Sequence, residues 1–105
     1  MSFRVRLTRD AEGDLERLFD FVLERELAGD GGDLALAAQA VDSIRAGVAT
    51  LRNSPFTCRK AGDSSFLREL VVQFGSSGYV ALFDIESATE VVVLAVRHQR
   101  EDDYH

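Results

Sequence analysis

The sequence has little of what usually staples or anchors a chain. It contains one cysteine (Cys58), one proline (Pro55), one methionine and no tryptophan. A lone cysteine forms no internal disulfide, and no cysteine pair or histidine and glutamate cluster has metal-ligand spacing. Both absences fit a reducing compartment and a fold without a structural metal. No apolar run approaches the roughly 20 residues needed to span a bilayer, and residues 1–6 lack the long apolar stretch of a signal peptide, so no membrane contact and a cytoplasmic location are expected. Repeats, linkers and low-complexity segments are absent too. There is no G-x-S-x-G, and the one glycine-rich stretch, Gly29-Asp30-Gly31-Gly32, follows a helical pattern, the wrong context for a dinucleotide site; no cofactor is expected.

The 105 residues carry 12 lysines and arginines against 18 aspartates and glutamates, a net charge of -6. An acidic total works against bulk nucleic-acid binding, whose affinity normally comes from a basic footprint, so no strong direct nucleic-acid binding is expected. The charge is unevenly placed. Residues 1–33 hold 5 basic and 9 acidic groups, residues 34–83 hold 5 and 3, and residues 84–105 hold 2 and 6. From Arg45 to Arg68 the cations Arg45, Arg52, Arg59, Lys60 and Arg68 are accompanied by Asp63 alone. Any contact with a polyanion belongs to that stretch, unless it is simply a solvated face. Apolar residues make up 46% of the chain, with 7 phenylalanines, enough to fill the core of one compact domain over residues 1–105.

Phe3-Arg4-Val5-Arg6-Leu7 alternates apolar and basic residues, predicting a short half-buried strand. Thr8 stands where a helix N-cap belongs. Ala11, Leu15, Leu18, Phe19 and Val22 then recur at helical spacing, with Asp10, Glu12, Asp14 and Glu16 early, where the macrodipole favours negative charge. Gly13 costs about 1 kcal/mol relative to alanine inside a helix, which points to close packing or a late helix start. Ala28 to Gly32 stops this helix through a left-handed glycine. Asp33 caps a second helix with the stripe Leu34, Ala37, Val41, Ile44, Val48 and Leu51, and the two form an antiparallel hairpin. Asn53-Ser54-Pro55 closes it. Residues 56–65 read as an exposed loop. Phe66 to Phe74 and Tyr79 to Ile85 read as strands around a four-residue turn, Gly75 to Gly78. Val91 to Val96, apolar on both faces, reads as a central strand.

The expected fold is therefore α+β, in the order β-α-α-β-β-β, with an N-terminal helix hairpin packed on one face of a mainly antiparallel sheet. Leu67, Val71, Val80 and Leu82 cannot all point toward the helices. The opposite face is then expected to be shielded by the C-terminal tail or a partner.

A few residues stand out as chemistry-bearing. Arg68 interrupts an apolar strand and shares a face with Phe66, Leu70, Val72 and Phe74, so it either pairs with a local group or meets a phosphate or carboxylate of a partner. His98 and Arg100 follow the most apolar strand; His98 can serve as acid, base or hydrogen-bonded structural residue, and Arg100 can hold a phosphate. Tyr104 either packs its ring or offers its hydroxyl to a site. Cys58 has no base beside it and reads as a spectator thiol.

Taken in order, Leu7-Thr8 before Ala11-Glu12-Gly13-Asp14-Leu15, Leu51 to Pro55, Leu67-Arg68-Glu69-Leu70, Tyr79-Val80-Ala81-Leu82-Phe83, and Val92-Val93-Leu94 leading to Val96-Arg97-His98-Gln99-Arg100 resemble the RelE/ParE superfamily of bacterial type II toxin-antitoxin toxins. The resemblance implies the fold above, a toxin-antitoxin hetero-oligomer, and one of two activities. ParE-like members poison DNA gyrase and are neutralised by a ParD-like antitoxin, with Arg59, Lys60, Arg68, His98 and Arg100 as antitoxin- or target-binding residues. RelE-like members are ribosome-dependent mRNA endonucleases, for which Arg68, His98, Arg100 and Tyr104 would be the catalytic set. His98 with Arg100 matches the ending common in ParE-like sequences, and Glu101, Asp102 and Asp103 crowd any nuclease site. The resemblance therefore favours a gyrase-poisoning protein over an enzyme.

Overall fold

The fold, given by a computed structural model, is described for residues 2–29 and 31–100. Its elements are β1 (Arg4–Leu7), α1 (Arg9–Ala28), α2 (Leu36–Ala49), β2 (Arg59–Lys60), β3 (Leu67–Phe74), β4 (Ser77–Ile85) and β5 (Glu90–His98). The strands form one sheet in the order β1-β5-β4-β3-β2. β1 runs parallel to β5 and the remaining pairs are antiparallel, so the sheet is mainly antiparallel and the expected α+β architecture holds.

α1 starts at Thr8, whose hydroxyl oxygen accepts the Ala11 amide at 3.1 Å while its proton goes to the Leu94 carbonyl at 3.2 Å. One side chain thus caps the helix and ties it to β5. Gly13 neither delays the helix nor packs closely: a Cβ there would meet nothing within 4 Å. Gly29 leaves the helix in extended backbone (φ -93, ψ 148), not in the left-handed region. The left-handed glycine is Gly31 in the turn that follows, at φ +72, and Gly32 is required for space, since a Cβ there would lie 2.0 Å from the Glu26 carbonyl oxygen. Asp33 sits ahead of α2 as a turn former. Its carboxylate accepts the Ala35 amide at 2.9 Å and its carbonyl the Leu36 amide at 3.1 Å. The helix therefore begins two residues later than the stripe implies, leaving Leu34 54% exposed. Glu12 in the first turn of α1 pairs with Arg45 late in α2 at 3.1 Å, the mark of an antiparallel hairpin.

The core lies between this hairpin and one sheet face. It joins Leu15, Leu18, Ile44, Val48 and Leu51 to Phe83, Val91, Val93 and Val96, with Phe83 fully enclosed. A side chain of that size contributes about 1.5–3 kcal/mol when buried. Residues 91–96 of β5 are apolar without alternation for a reason that periodicity alone does not show. Its pairing with β4 slips between Leu82 and Phe83, so Leu82 faces Ala95 whereas Phe83 faces Val93 and Leu94 is the extra residue. The bulge shifts the alternation. Val91, Val93 and Val96 thereby join the helix-facing core.

Two expectations about loops are corrected. Residues 56–65 are not wholly irregular, because Pro55–Thr57 forms a 3-10 turn and Arg59–Lys60 pairs with β3 as an edge strand. The β3–β4 connection is a two-residue turn, Gly75-Ser76, with Phe74 opposite Ser77 and Gly75 at φ +61. Glycine at the first turn position is what such a tight hairpin demands. On the outer sheet face Val80, Val92 and Ala95 are buried and Leu67, Val71 and Leu82 half-buried; the large exposed apolar residues among the described ones are Phe21, Leu27, Leu34, Phe56 and Phe66.

Candidate functional site

The structure places the candidate residues in two groups at opposite ends of the sheet, with Arg68 and His98 on its helix-facing side. Arg68 lies at the start of β3, paired with Phe83 on one side and Lys60 on the other. Its guanidinium donates to three carbonyls: Nε to Ser65 at 2.8 Å, and Nη1 to Phe56 at 3.0 Å and Cys58 at 2.7 Å. It also lies 5.2 Å from the centre of the Phe56 ring. This planar fork holds residues 56–65 onto the sheet, a geometry an ammonium cannot supply. Arg59, on the outer face, is held by Glu69 at 3.0 Å. Lys60 is exposed. Burial pushes the half-buried Cys58 thiol above its ordinary pKa, with Arg68 pulling weakly the other way, which suits a spectator and not a nucleophile.

His98 ends β5 opposite Tyr79. Its Nδ1 accepts the Arg100 amide at 3.1 Å, which leaves the ring proton on Nε2, 2.7 Å from Ser77 Oγ. In that tautomer the imidazole donates to the serine and does not activate it. The Tyr79 ring stands edge-on to His98 at 5.5 Å, and burial raises its phenol pKa against a smaller opposing pull from Arg25. Around them a cleft of about 420 Å³ opens between α1 and the β3–β4 turn, lined by Phe21, Val22, Arg25, Ser77 and Arg100 among others.

The two groups do not meet. His98 pairs with Tyr79, which pairs with Val72, four residues along β3 from Arg68. That is about 13 Å of strand, with about 10 Å more across the sheet. Arg68 is therefore not part of a phosphate site with His98 and Arg100. Tyr104 lies outside the described residues.

Sequence reasoning passed over three features. Asp14, read only as an early-helix acid, is 6% exposed and accepts the Val96 amide at 2.9 Å. Its signal was visible, since it falls with Ala11, Leu15 and Leu18 on the buried stripe, where a carboxylate needs a donor. The second feature is a groove of about 1000 Å³ between β1 and α2. Its floor includes Val5, Leu7, Leu15, Ile44 and Val48, and Arg4, Arg6, Arg45 and Arg52 stand along its sides. Among the described residues β1 pairs only with β5 and forms the edge of the sheet. The third is the exposed pair Phe56 and Phe66, set edge to face at 6.4 Å. Among the described residues no group of acids, histidines and cysteines could hold a metal ion, and no helix is long and apolar enough to cross a membrane.

Residues 5–103 match the family model described as ParE toxin of type II toxin-antitoxin system, parDE. No curated protein sequence matches the chain. Among solved structures, the chromosomal ParDE TA system from P. aeruginosa contains a chain of the same fold, with a TM-score of 0.72 at 19% identity, covering 92% of this chain and 96% of that one.

Proposed function

This chain belongs to the ParE toxin family of type II toxin-antitoxin systems, and from that premise we propose that it acts in the cytoplasm by binding DNA gyrase, without chemistry of its own. A ParD-like antitoxin neutralises it in a hetero-oligomer. The observation that carries this reading is the division of the would-be nuclease set. Arg68 is spent on three loop carbonyls at one end of the sheet, while His98 at the other has its ring bonded to Ser77 and the Arg100 amide. General acid-base cleavage of RNA needs the proton donor and the phosphate-holding cations around one scissile bond. A binding protein needs only surfaces. Arg59, Lys60 and Arg100 are exposed and serve as partner contacts, with Arg68 and His98 shaping the surfaces beside them. The groove along β1 is apolar beneath and suits an antitoxin segment that buries leucine or valine; of the arginines on its rim, Arg4, Arg6 and Arg45 are paired with Glu90, Glu86 and Glu12.

The test is a gyrase supercoiling and cleavage-complex assay with purified toxin, and antitoxin-bound toxin as control. Stabilised DNA breaks that the antitoxin reverses are expected. Unchanged gyrase activity together with translation-dependent cleavage of messages would refute the reading.

A further inference from the structure

The end of the sheet that carries Arg68 has a second peculiarity. Lys60 and Arg68 are directly opposite each other in the β2–β3 ladder, and neither has a carboxylate partner among the described residues. Like charges facing across a ladder are destabilising. Three carbonyls occupy Arg68 Nε and Nη1, but Nη2 makes no hydrogen bond among the described residues. Among the described residues this cation pair thus has no carboxylate of its own, in a chain of net charge -6.

Immediately beside it are the two most exposed rings of the sheet end, Phe56 at 50% and Phe66 at 53%. They border a cleft of about 550 Å³ walled by Phe3, Ile85 and Ala88, with Glu86 and Ser87 at its margin. The rings are not loosely held. Arg68 lies over Phe56 and binds its carbonyl, Phe66 packs edge-on against Phe56, and the Phe66 amide donates to Ser64 Oγ at 3.1 Å. Rigid aromatic groups around an apolar cleft, held before any partner arrives, are what concentrates binding energy at protein interfaces.

We propose that Lys60, Arg68, Phe56 and Phe66 form a docking site for an acidic segment of a partner protein, one carboxylate bridging Lys60 and Arg68 Nη2 and an adjacent apolar side chain entering the cleft. The cation pair selects the carboxylate by charge. The cleft selects the apolar neighbour. A nucleic acid fits less well, because Arg68 covers one face of Phe56 and the two rings stand at 71° to each other, so they offer no parallel faces for successive bases. The site rests on the reading of the chain as a protein-binding toxin but not on which protein is the target.

The full chain is titrated with two synthetic peptides of equal length, one with glutamate and aspartate around a central leucine-phenylalanine pair, the other with lysine at every acidic position. NMR resonances of the Phe56 and Phe66 rings report binding. Saturable shifts with the acidic peptide alone are expected, weakened by salt, with affinity about five-fold lower in Lys60→Glu and no ring shifts in Phe66→Ser. Both substitutions are at exposed positions, so a folded chain is kept; Arg68→Ala is avoided because it frees the loop. Equal shifts with both peptides, no saturation, tighter binding of a short single-stranded oligonucleotide, or self-association lost in Phe66→Ser each overturns the proposal. A chain that takes the acidic peptide but leaves gyrase untouched refutes the gyrase reading alone, and the converse result refutes this site alone.

Discussion

Asp14 of α1 and Val96 of β5, 82 residues apart, are joined by a buried hydrogen bond in which the Val96 amide donates to the Asp14 carboxylate at 2.9 Å. The bond sits just past the bulge at Leu94, whose carbonyl accepts from Thr8. The start of α1 therefore clamps the bulge from both sides. The bulge in turn decides the face on which His98 emerges, because without the extra residue the alternation from Val93 would send His98 to the outer face.

Removing the acceptor leaves the Val96 amide buried and unpaired. Asp14→Ala is expected to cost about 1–3 kcal/mol, and Asp14→Asn, which keeps an acceptor, distinctly less. Denaturant unfolding of the two variants checks this; equal losses would show that the bond itself contributes nothing.

The two helical glycines should respond oppositely to alanine. Gly13 has open space around it, so Gly13→Ala is expected to stabilise by about 0.5–1 kcal/mol through helix propensity and unfolded-state entropy. At Gly47 a Cβ would lie 2.7 Å from Val72 Cγ2, and a β-branched side chain has little room to yield. Gly47→Ala should therefore lower stability, by about 1–3 kcal/mol of overpacking offset in part by propensity. Thermal unfolding of both variants, with Val72→Ala added to relieve the second, separates the effects.

Arg68 is a fastener before it is anything else. Arg68→Ala should destabilise the fold by roughly 2 kcal/mol, the scale of a charge-assisted hydrogen-bond network, and speed proteolysis within residues 56–65. Arg68→Lys keeps the charge without the fork and should recover little. Protection of the loop in the lysine variant equal to wild type would mean that charge alone holds it.

His98 offers a direct test of chemistry against structure. Asparagine can accept the Arg100 amide much as Nδ1 does, yet it cannot exchange protons as an acid or base. Growth arrest by His98→Asn within about ten-fold of wild type is expected; a loss of the 10²–10⁴-fold size typical of removed acid-base groups would restore the nuclease reading.

Cys58 should alkylate slowly at neutral pH, because its thiol is half-buried and its pKa raised by that burial. Iodoacetamide modification should accelerate only above the ordinary thiol range of about pH 8.5. The sign for stability follows. A raised pKa in the folded state means the native chain keeps its proton longer than the unfolded one, so stability is whole below the unfolded value and declines as pH rises past it. Rapid labelling at pH 7 would contradict this.

Local signals in the chain account for the elements. The Thr8 cap, the stripe through Val22, the proline after the second helix and the apolar run from Val91 each rest on neighbours within a few residues, and all appear at or near the expected places. The misplacements are local competitions. Asp33 makes a turn of its own before α2, Gly13 simply tolerates its helix, and Gly75 closes a tighter hairpin than four polar residues implied. The site was less legible. Arg68 stood out as a cation on an apolar face, which was sound, but its partners are carbonyls 3, 10 and 12 residues away that no periodicity reveals. Asp14 carried its signal in the stripe, and it went unused because an acid near a helix start already has an explanation.

By itself, then, the sequence determined the order of elements, the two amphipathic helices and the apolar strands, since capping, turn chemistry and hydrophobic spacing act over one or two turns of chain. Which side chains share a surface was decided only in three dimensions. A single bulged residue reverses the face of everything after it, and strand pairing sets Lys60 against Arg68 while holding Arg68 apart from His98, because sheet register joins residues through backbone hydrogen bonds whose partners lie far away in the chain.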